Sequence, residues 1–287
     1  MKVKFHSYYP IDADIDTDKN VDVYIDQFSM DPVPESSIRI IIIDEPKKSE
    51  LFTKVQWHRD LYTHVLTFHE EILATNPKAQ LFLAMNIWVR RYVSKNKKFC
   101  VSTVVGGKND PAMEGYAMRH DLWRRKESIT IPKDFFLSGN TPFPHVFVPW
   151  SEVNYRNNLV LGNSKEPMFD SMFHIAIENT SIKNYFSEKI LDCFQARSVP
   201  IYYGCKNIGD FFNIDGIITA NNVSEIIDIC NNLTPAKYNE MLPAVEDNFN
   251  RSEKWCVGDS DAWCAHHDKQ IKNEVIKILN ERDNMRS

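Results

Sequence analysis

Glycine is scarce in this chain, nine residues in 287 against 14 prolines, and no tract is low in complexity, which excludes collagen-like and linker-dominated architectures. Long apolar runs are missing too: none approaches the roughly 18 residues of a membrane-crossing helix. Met1 leads directly into Lys2-Val3-Lys4-Phe5 without an apolar segment behind it, so no signal peptide or anchor is seen and a soluble, cytoplasmic protein is expected. Positive charge is in deficit. Lys and Arg total 34 against 39 Asp and Glu, a formal charge of -5, so no net field gathers nucleic acid or anionic lipid. The basic runs Lys95-Asn96-Lys97-Lys98 and Arg124-Arg125-Lys126 read as solvated faces. The six cysteines (Cys100, Cys193, Cys205, Cys230, Cys256, Cys264) lack the close pairing of a disulfide scaffold or a zinc site and read as buried thiols. Cys256, Cys264, His266 and His267 are ligand types for zinc without its spacing.

What remains is a globular composition, 43% hydrophobic and 25% charged. A chain of about 300 residues buries about 75% of its unfolded surface, so burial alone can hold it. The length favours two domains.

The first third alternates short apolar runs with polar breaks: Val21 to Ile25, Ile38 to Ile43, and His64 to Phe68. The continuous run Ile38-Arg39-Ile40-Ile41-Ile42-Ile43 fits a strand buried on both faces of a parallel sheet, stopped by Asp44-Glu45-Pro46. The polar stretch Ser94 to Lys98 reads as a linker. Beyond it the pattern restarts with a strand from Phe99 to Val105, a helix from Glu114 to Ser128, strands at Val146–Val148 and Phe173–Ile177, and a helix from Ser187 to Ala196. A strand at Val199–Tyr203, another at Gly216–Thr219 and a helix capped by Asn222, with Glu225 three residues on, follow. Strand and helix alternate in both halves, which predicts an α/β fold with parallel sheets. The expected division is an α/β domain over 1–95, a second α/β domain over 96–255, and a helical tail over 256–287 that packs back, helped by Trp255 and Trp263; the resemblance given below implies an acceptor side for the first and a nucleotide-sugar site for the second.

The chemistry concentrates between Phe173 and Gly204. Glu178-Asn179-Thr180 sits at the carboxyl end of a strand, where open α/β sheets bind ligands, and Ser187-Glu188-Lys189 opens the next helix. A helix start offers N–H groups and positive partial charge to a phosphate, Lys189 adds a full charge, and Glu188 can accept hydrogen bonds from sugar hydroxyls. The same residues also suit an ordinary surface helix start, and spacing alone does not choose between the two. His174, on the strand, reads as a core histidine.

This block resembles the signature of the inverting fucosyltransferases that make α-1,3 linkages from GDP-fucose, the family 10 type of glycosyltransferase: Glu178-Asn179-Thr180, Tyr185, Ser187-Glu188-Lys189, Val199-Pro200-Ile201 and Gly204 stand in the family's order. The similarity is good from about Phe173 to Ile218 and thin elsewhere. It implies the GT-B fold, two Rossmann-like domains facing across a cleft, and a donor site made of Arg119, Glu178, Asn179, Tyr185, Ser187, Glu188 and Lys189. Arg119, in Met118-Arg119-His120-Asp121-Leu122-Trp123, resembles an arginine of the family that neutralises diphosphate charge. The family's general base is a Glu after a Gly at the end of a buried strand. Ile43-Asp44-Glu45-Pro46 stands in a similar place with Asp44 where the Gly would be, so either Glu45 or Asp44 is the carboxylate. The resemblance also implies a nucleotide-sugar donor, a glycan acceptor and no required metal or other cofactor. Without an anchor the chain is more similar to the soluble bacterial or viral type, and a glycan on the sequon at Asn179 would block the motif. Another donor such as UDP-xylose, or a non-catalytic sugar-binding protein keeping the fold, are the alternatives.

Overall fold

The computed structural model describes residues 1–32, 34, 37–46, 50–92, 94, 97–138, 159–161, 164–258 and 265–284. The expected strand at Val146–Val148 and the residues Cys264 and Trp263 lie outside them. In chain order the main elements are β1 (Lys4–His6), β2 (Val21–Ile25), β3 (Ile38–Ile43), α1 (Glu50–Trp57), β4 (His64–Thr67), α2 (Glu70–Thr75), β5 (Ala79–Leu81), β6 (Lys98–Val105), α3 (Glu114–Arg124), β7 (Lys133–Ser138), β8 (Leu159–Leu161), β9 (Ser171–Ile177), α4 (Glu188–Gln195), β10 (Val199–Tyr203), β11 (Ile218–Thr219), α5 (Val223–Asn231), α6 (Pro235–Ser252) and α7 (Ala265–Asn284). Among the described residues no helix is long and apolar enough to cross a membrane.

The chain forms two compact units: Met1–Asn86 with Lys183–Tyr185 and Trp255–Ser287, and Ile87–Ile182 with Phe186–Lys254. The first is built on a parallel sheet in the order β1-β2-β3-β4-β5. Side chains alternate across a strand, and β3 uses the alternation on both sides. Ile38, Ile40 and Ile42 pack with Ile271, Val275 and Ile278 of α7, whereas Ile41 and Ile43 pack with Val55, Tyr62, Val65 and Ile72. The C-terminal helix thus supplies one of the two layers that make so apolar a strand stable.

The second unit carries a sheet in the order β11-β10-β9-β6-β7-β8, every neighbouring pair parallel. From β6 the chain steps outward through β7 and β8, then returns to the other side of β6 for β9, β10 and β11. The order therefore reverses between β6 and β9, and their carboxyl ends flank the crevice where sheets of this kind bind ligands.

The Tyr92 and Ser94 hydroxyls both donate to Asp170. One sequence expectation is corrected here. Lys97 is not on a solvated face: its ammonium turns inward onto the carbonyls of Phe169 and Ser171 and the Ser198 hydroxyl, and burial brings it down to about 7.

Candidate active site

At the switch point, Glu178 directly follows β9, and its side chain is fully buried. The carboxylate has specific work there. Oε1 accepts the Ser187 amide at 2.9 Å and Oε2 accepts the Ser187 hydroxyl at 2.6 Å, so Glu178 grips the residue that caps α4. The Lys189 ammonium lies 3.5 Å from Glu178 and 3.3 Å from Glu188. The charges continue: Lys165 lies 3.6 Å from Glu188 and 3.8 Å from Asp192, and Asp192 accepts the amides of Trp88 and Val89. Burial raises Glu178 above the ordinary carboxylate range against the pull of Lys189. Burial alone would raise Glu188 too, but Lys189 and Lys165 bring it down to about 2, whereas Asp192 is pushed by burial up to about 7.

Two glycines make room for this residue, Gly204 beside its side chain and Gly115 beside its backbone. A Cβ on Gly204 would stand 2.5 Å from Glu178 Cγ, and one on Gly115 would stand 1.8 Å from the Glu178 carbonyl oxygen. Close approach of α3 lets Arg119 reach the strand end: its guanidinium donates to the carbonyls of Ile177 at 2.6 Å and Glu178 at 3.2 Å, and to the Asn179 side chain at 3.1 Å. Beside it, Glu114 accepts the Thr180 hydroxyl, the Ser181 amide and the Tyr203 hydroxyl. Burial would raise Glu114, and these donors hold it below its usual range instead.

In the first unit, Asp26 follows β2 and Asp44 follows the neighbouring β3. Asp26 adopts φ 50°, in the left-handed region that Asp tolerates better than most residues, and its Oδ1 accepts the amides of Asp44 at 2.9 Å and Glu45 at 3.3 Å. Burial and the neighbouring Asp44 push Asp26 up to about 7. The Asp44 carboxylate pairs with His267 Nε2 at 3.2 Å, and His267 Nδ1 meets Asp268 at 3.1 Å. Burial would lower His267, but the hydrogen bonds to Asp268 and Asp44 outweigh it and carry it up to about 10.

Residues 152–279 match the family model described as Glycosyltransferase family 10 (fucosyltransferase) C-term. That stretch is similar to the C-terminal part of the family 10 glycosyltransferases. An α-(1,4)-fucosyltransferase of Arabidopsis thaliana is 46% identical over 39 residues, 14% of this chain and a stretch spanning only 10% of that protein's length. Crystal structures of α1,3-fucosyltransferase, one of them with GDP-fucose, are similar with a TM-score of 0.50 at 16% identity, covering 78% of this chain and 70% of theirs. TarM is similar with the same TM-score at 10% identity over 92% of this chain and 56% of its own. At these identities the likeness establishes the fold, and the α/β architecture with two parallel sheets is of the GT-B class.

Within the stretch that matches the family model, Glu178, Asn179, Ser187, Glu188 and Lys189 come together at the carboxyl end of β9, and Arg119 joins them from α3. Tyr185 belongs to the first unit, where its ring packs on Phe68 at 5.2 Å. Asp44 and Glu45 also lie in that unit. His174 is a buried core residue bonded to Ser102, brought down to about 3 by burial. His266 accepts the Gly258 amide. Sequence reasoning missed Glu114, Lys165, Asp192, Asp26 and Asp268. The Glu114-Gly115 pair opening a helix after a strand was the one readable signal among them.

Two outcomes follow. Lys189→Ala should lower the unfolding free energy by about 2–4 kcal/mol at pH 8, because Glu178 is left buried without its cation; the loss should shrink at pH 5, where an uncompensated Glu178 takes up a proton. Denaturant melts at the two pH values check it. His267 is raised above its unfolded value, so the stability it contributes is complete below about pH 6.5 and disappears as pH rises through about 10. Thermal melts of His267→Gln should show a smaller decline across that window than the parent protein.

Proposed function

We propose that the protein is an inverting glycosyltransferase that moves fucose from GDP-fucose to a glycan hydroxyl. The observation that carries this reading is the Glu178–Lys189 cluster at the switch point, lying inside the stretch that matches the family 10 model. The solved complex of a similar fold with GDP-fucose supports that donor.

In the reaction, the acceptor oxygen attacks the anomeric carbon as its proton passes to a carboxylate of the first unit, Glu45 or Asp44. The new bond forms on the face opposite the departing one, the bond from the anomeric carbon to phosphate oxygen breaks, and the nucleoside diphosphate leaves with the electron pair. A single displacement inverts the centre. Arg119, Lys189 and the start of α4 stabilise the charge that grows on the leaving diphosphate. Because Lys189 rests between Glu178 and Glu188, its charge is already partly compensated, and the donor's phosphates compete with those carboxylates for it. Asn179, Ser187 and Glu188 offer polar contacts to the donor, and Tyr185 retains a donor-side role implied by the motif. No metal is required in this scheme, and the work is done without a further cofactor. A soluble protein acting in the cytoplasm suits this donor.

A thermal-shift screen tests the donor, since a ligand that binds only the folded state raises its melting temperature. GDP and GDP-fucose should shift the melt, UDP, UDP-xylose and UDP-glucose should not, and turnover should survive EDTA. A shift with uridine nucleotides alone would change the donor, no shift with any nucleotide would favour a non-catalytic protein, and loss of turnover in EDTA would overturn the metal-free mechanism.

A further inference from the structure

One oxygen of Glu188 is shared by two ammonium groups. Lys189 Nζ lies 3.3 Å from Oε1, and Lys165 Nζ lies 3.6 Å from the same atom. Lys189 stands in the first turn of α4, whereas Lys165 is the residue that precedes the helical turn Glu166–Asp170 leading into β9. That turn is firmly seated: Met168 and Phe169 are buried, the Tyr92 and Ser94 hydroxyls donate to Asp170, and the Lys97 ammonium donates to the Phe169 carbonyl. Lys165 has two further holds. Its ammonium stands 4.7 Å from the centre of the Trp88 ring and 3.8 Å from Asp192 Oδ2. Asp192 is one turn beyond Glu188 on α4, so the two acids share a helix face. The other Asp192 oxygen, Oδ1, accepts the Trp88 and Val89 amides at 3.0 and 3.1 Å, which fixes the carboxylate that Lys165 meets.

This arrangement bears on the donor. Lys189 cannot give its charge to a diphosphate without withdrawing it from Glu178 and Glu188. Glu178 then keeps the two hydrogen bonds from Ser187. Glu188, ionised down to about pH 2, keeps Lys165, the only other cation within ion-pair distance of it among the described residues. A buried carboxylate deserted by its cation is costly, so the presence of Lys165 governs how readily Lys189 turns to a ligand.

We propose that Lys165 is a positioning residue of the donor site, which holds Glu188 and thereby leaves Lys189 to the diphosphate of a nucleotide ligand. This rests on the donor reading above. Lys165 acts through Glu188 and not on the phosphates themselves. Asp192 works against it, because its charge draws on the same ammonium. Removing that charge strengthens the hold of Lys165 on Glu188, so the loss of a buried ionic partner should improve ligand binding, which damage to packing alone would not do.

The test is GDP affinity by titration calorimetry at pH 8, above the value of about 7 to which burial pushes Asp192, with thermal melts to confirm folding. Lys165→Met should weaken GDP binding by about 10- to 100-fold, and Lys165→Arg, which keeps the charge, should bind within about threefold of the parent. Introduced into Glu188→Gln, where that carboxylate no longer competes for Lys189, Lys165→Met should change the affinity by less than about threefold. Asp192→Asn keeps an oxygen for the Trp88 and Val89 amides and should tighten GDP binding by about two- to fivefold. It is also the second variant, should Lys165→Met not fold. Parent-like affinity in Lys165→Met, an equal loss with and without the Glu188 carboxylate, or unchanged or weaker binding in Asp192→Asn would overturn the assignment. Parent protein that binds no GDP, or whose GDP affinity Lys189→Ala leaves untouched, would instead overturn the donor reading, and the assignment with it.

Discussion

Burial of the Glu178 carboxylate under the first turn of α4 is the constraint on which the second unit depends. A buried carboxylate without partners costs several kcal/mol, and here the cost is met by two hydrogen bonds from Ser187 and by Lys189. Neither Gly115 nor Gly204 has room for a side chain, because α3 and the end of β10 close directly onto Glu178. The approach of α3 in turn brings Arg119 to the carbonyls at the end of β9. One acidic side chain thereby joins the ends of two strands, the start of one helix and the side of another at the place where the sheet order reverses. Lys189, Glu188, Lys165 and Asp192 extend it as a chain of alternating charges, three acids in all to two lysines when Glu178 is included.

The first unit solves a different problem. Its proposed work is to present one carboxylate, and it does so through backbone rather than through a charged pocket. Asp26 and His69 bind the peptide groups on either side of Glu45, and His267 reaches Asp44 from α7. The last helix of the chain therefore has two duties in this unit, covering the inner face of β3 with Ile271, Val275 and Ile278 and supplying the histidine. That division explains why a strand as apolar as β3 can end in two consecutive acids: the strand is fixed by packing on both faces, and the acids are fixed by hydrogen bonds at its tip.

Much of this was legible in the sequence where the relevant residues are close together. The isoleucine run is β3, buried on both faces; Phe173 to Gly204 reads directly as β9, α4 and β10; and Asn222 caps α5, accepting the Glu225 amide. What escaped lies far apart in the chain or defies local pattern. Lys165 meets Glu188 and Asp192 only through the fold. Lys97 looks like one more solvated lysine, and only the surrounding carbonyls turn it inward. Asp26 follows a plain strand and reads as an ordinary turn residue; its left-handed backbone and its hold on two amides from the next strand are matters of register, which composition does not encode.

The central claim is that the Glu178–Lys189 block with Arg119 is the donor site, and hydrogen–deuterium exchange with and without saturating GDP addresses it most directly. The account predicts slowed exchange in the peptides covering 113–120 and 178–190, with little change over the outer strand β11. Protection confined to other segments, with those two peptides unaffected by bound GDP, would contradict it.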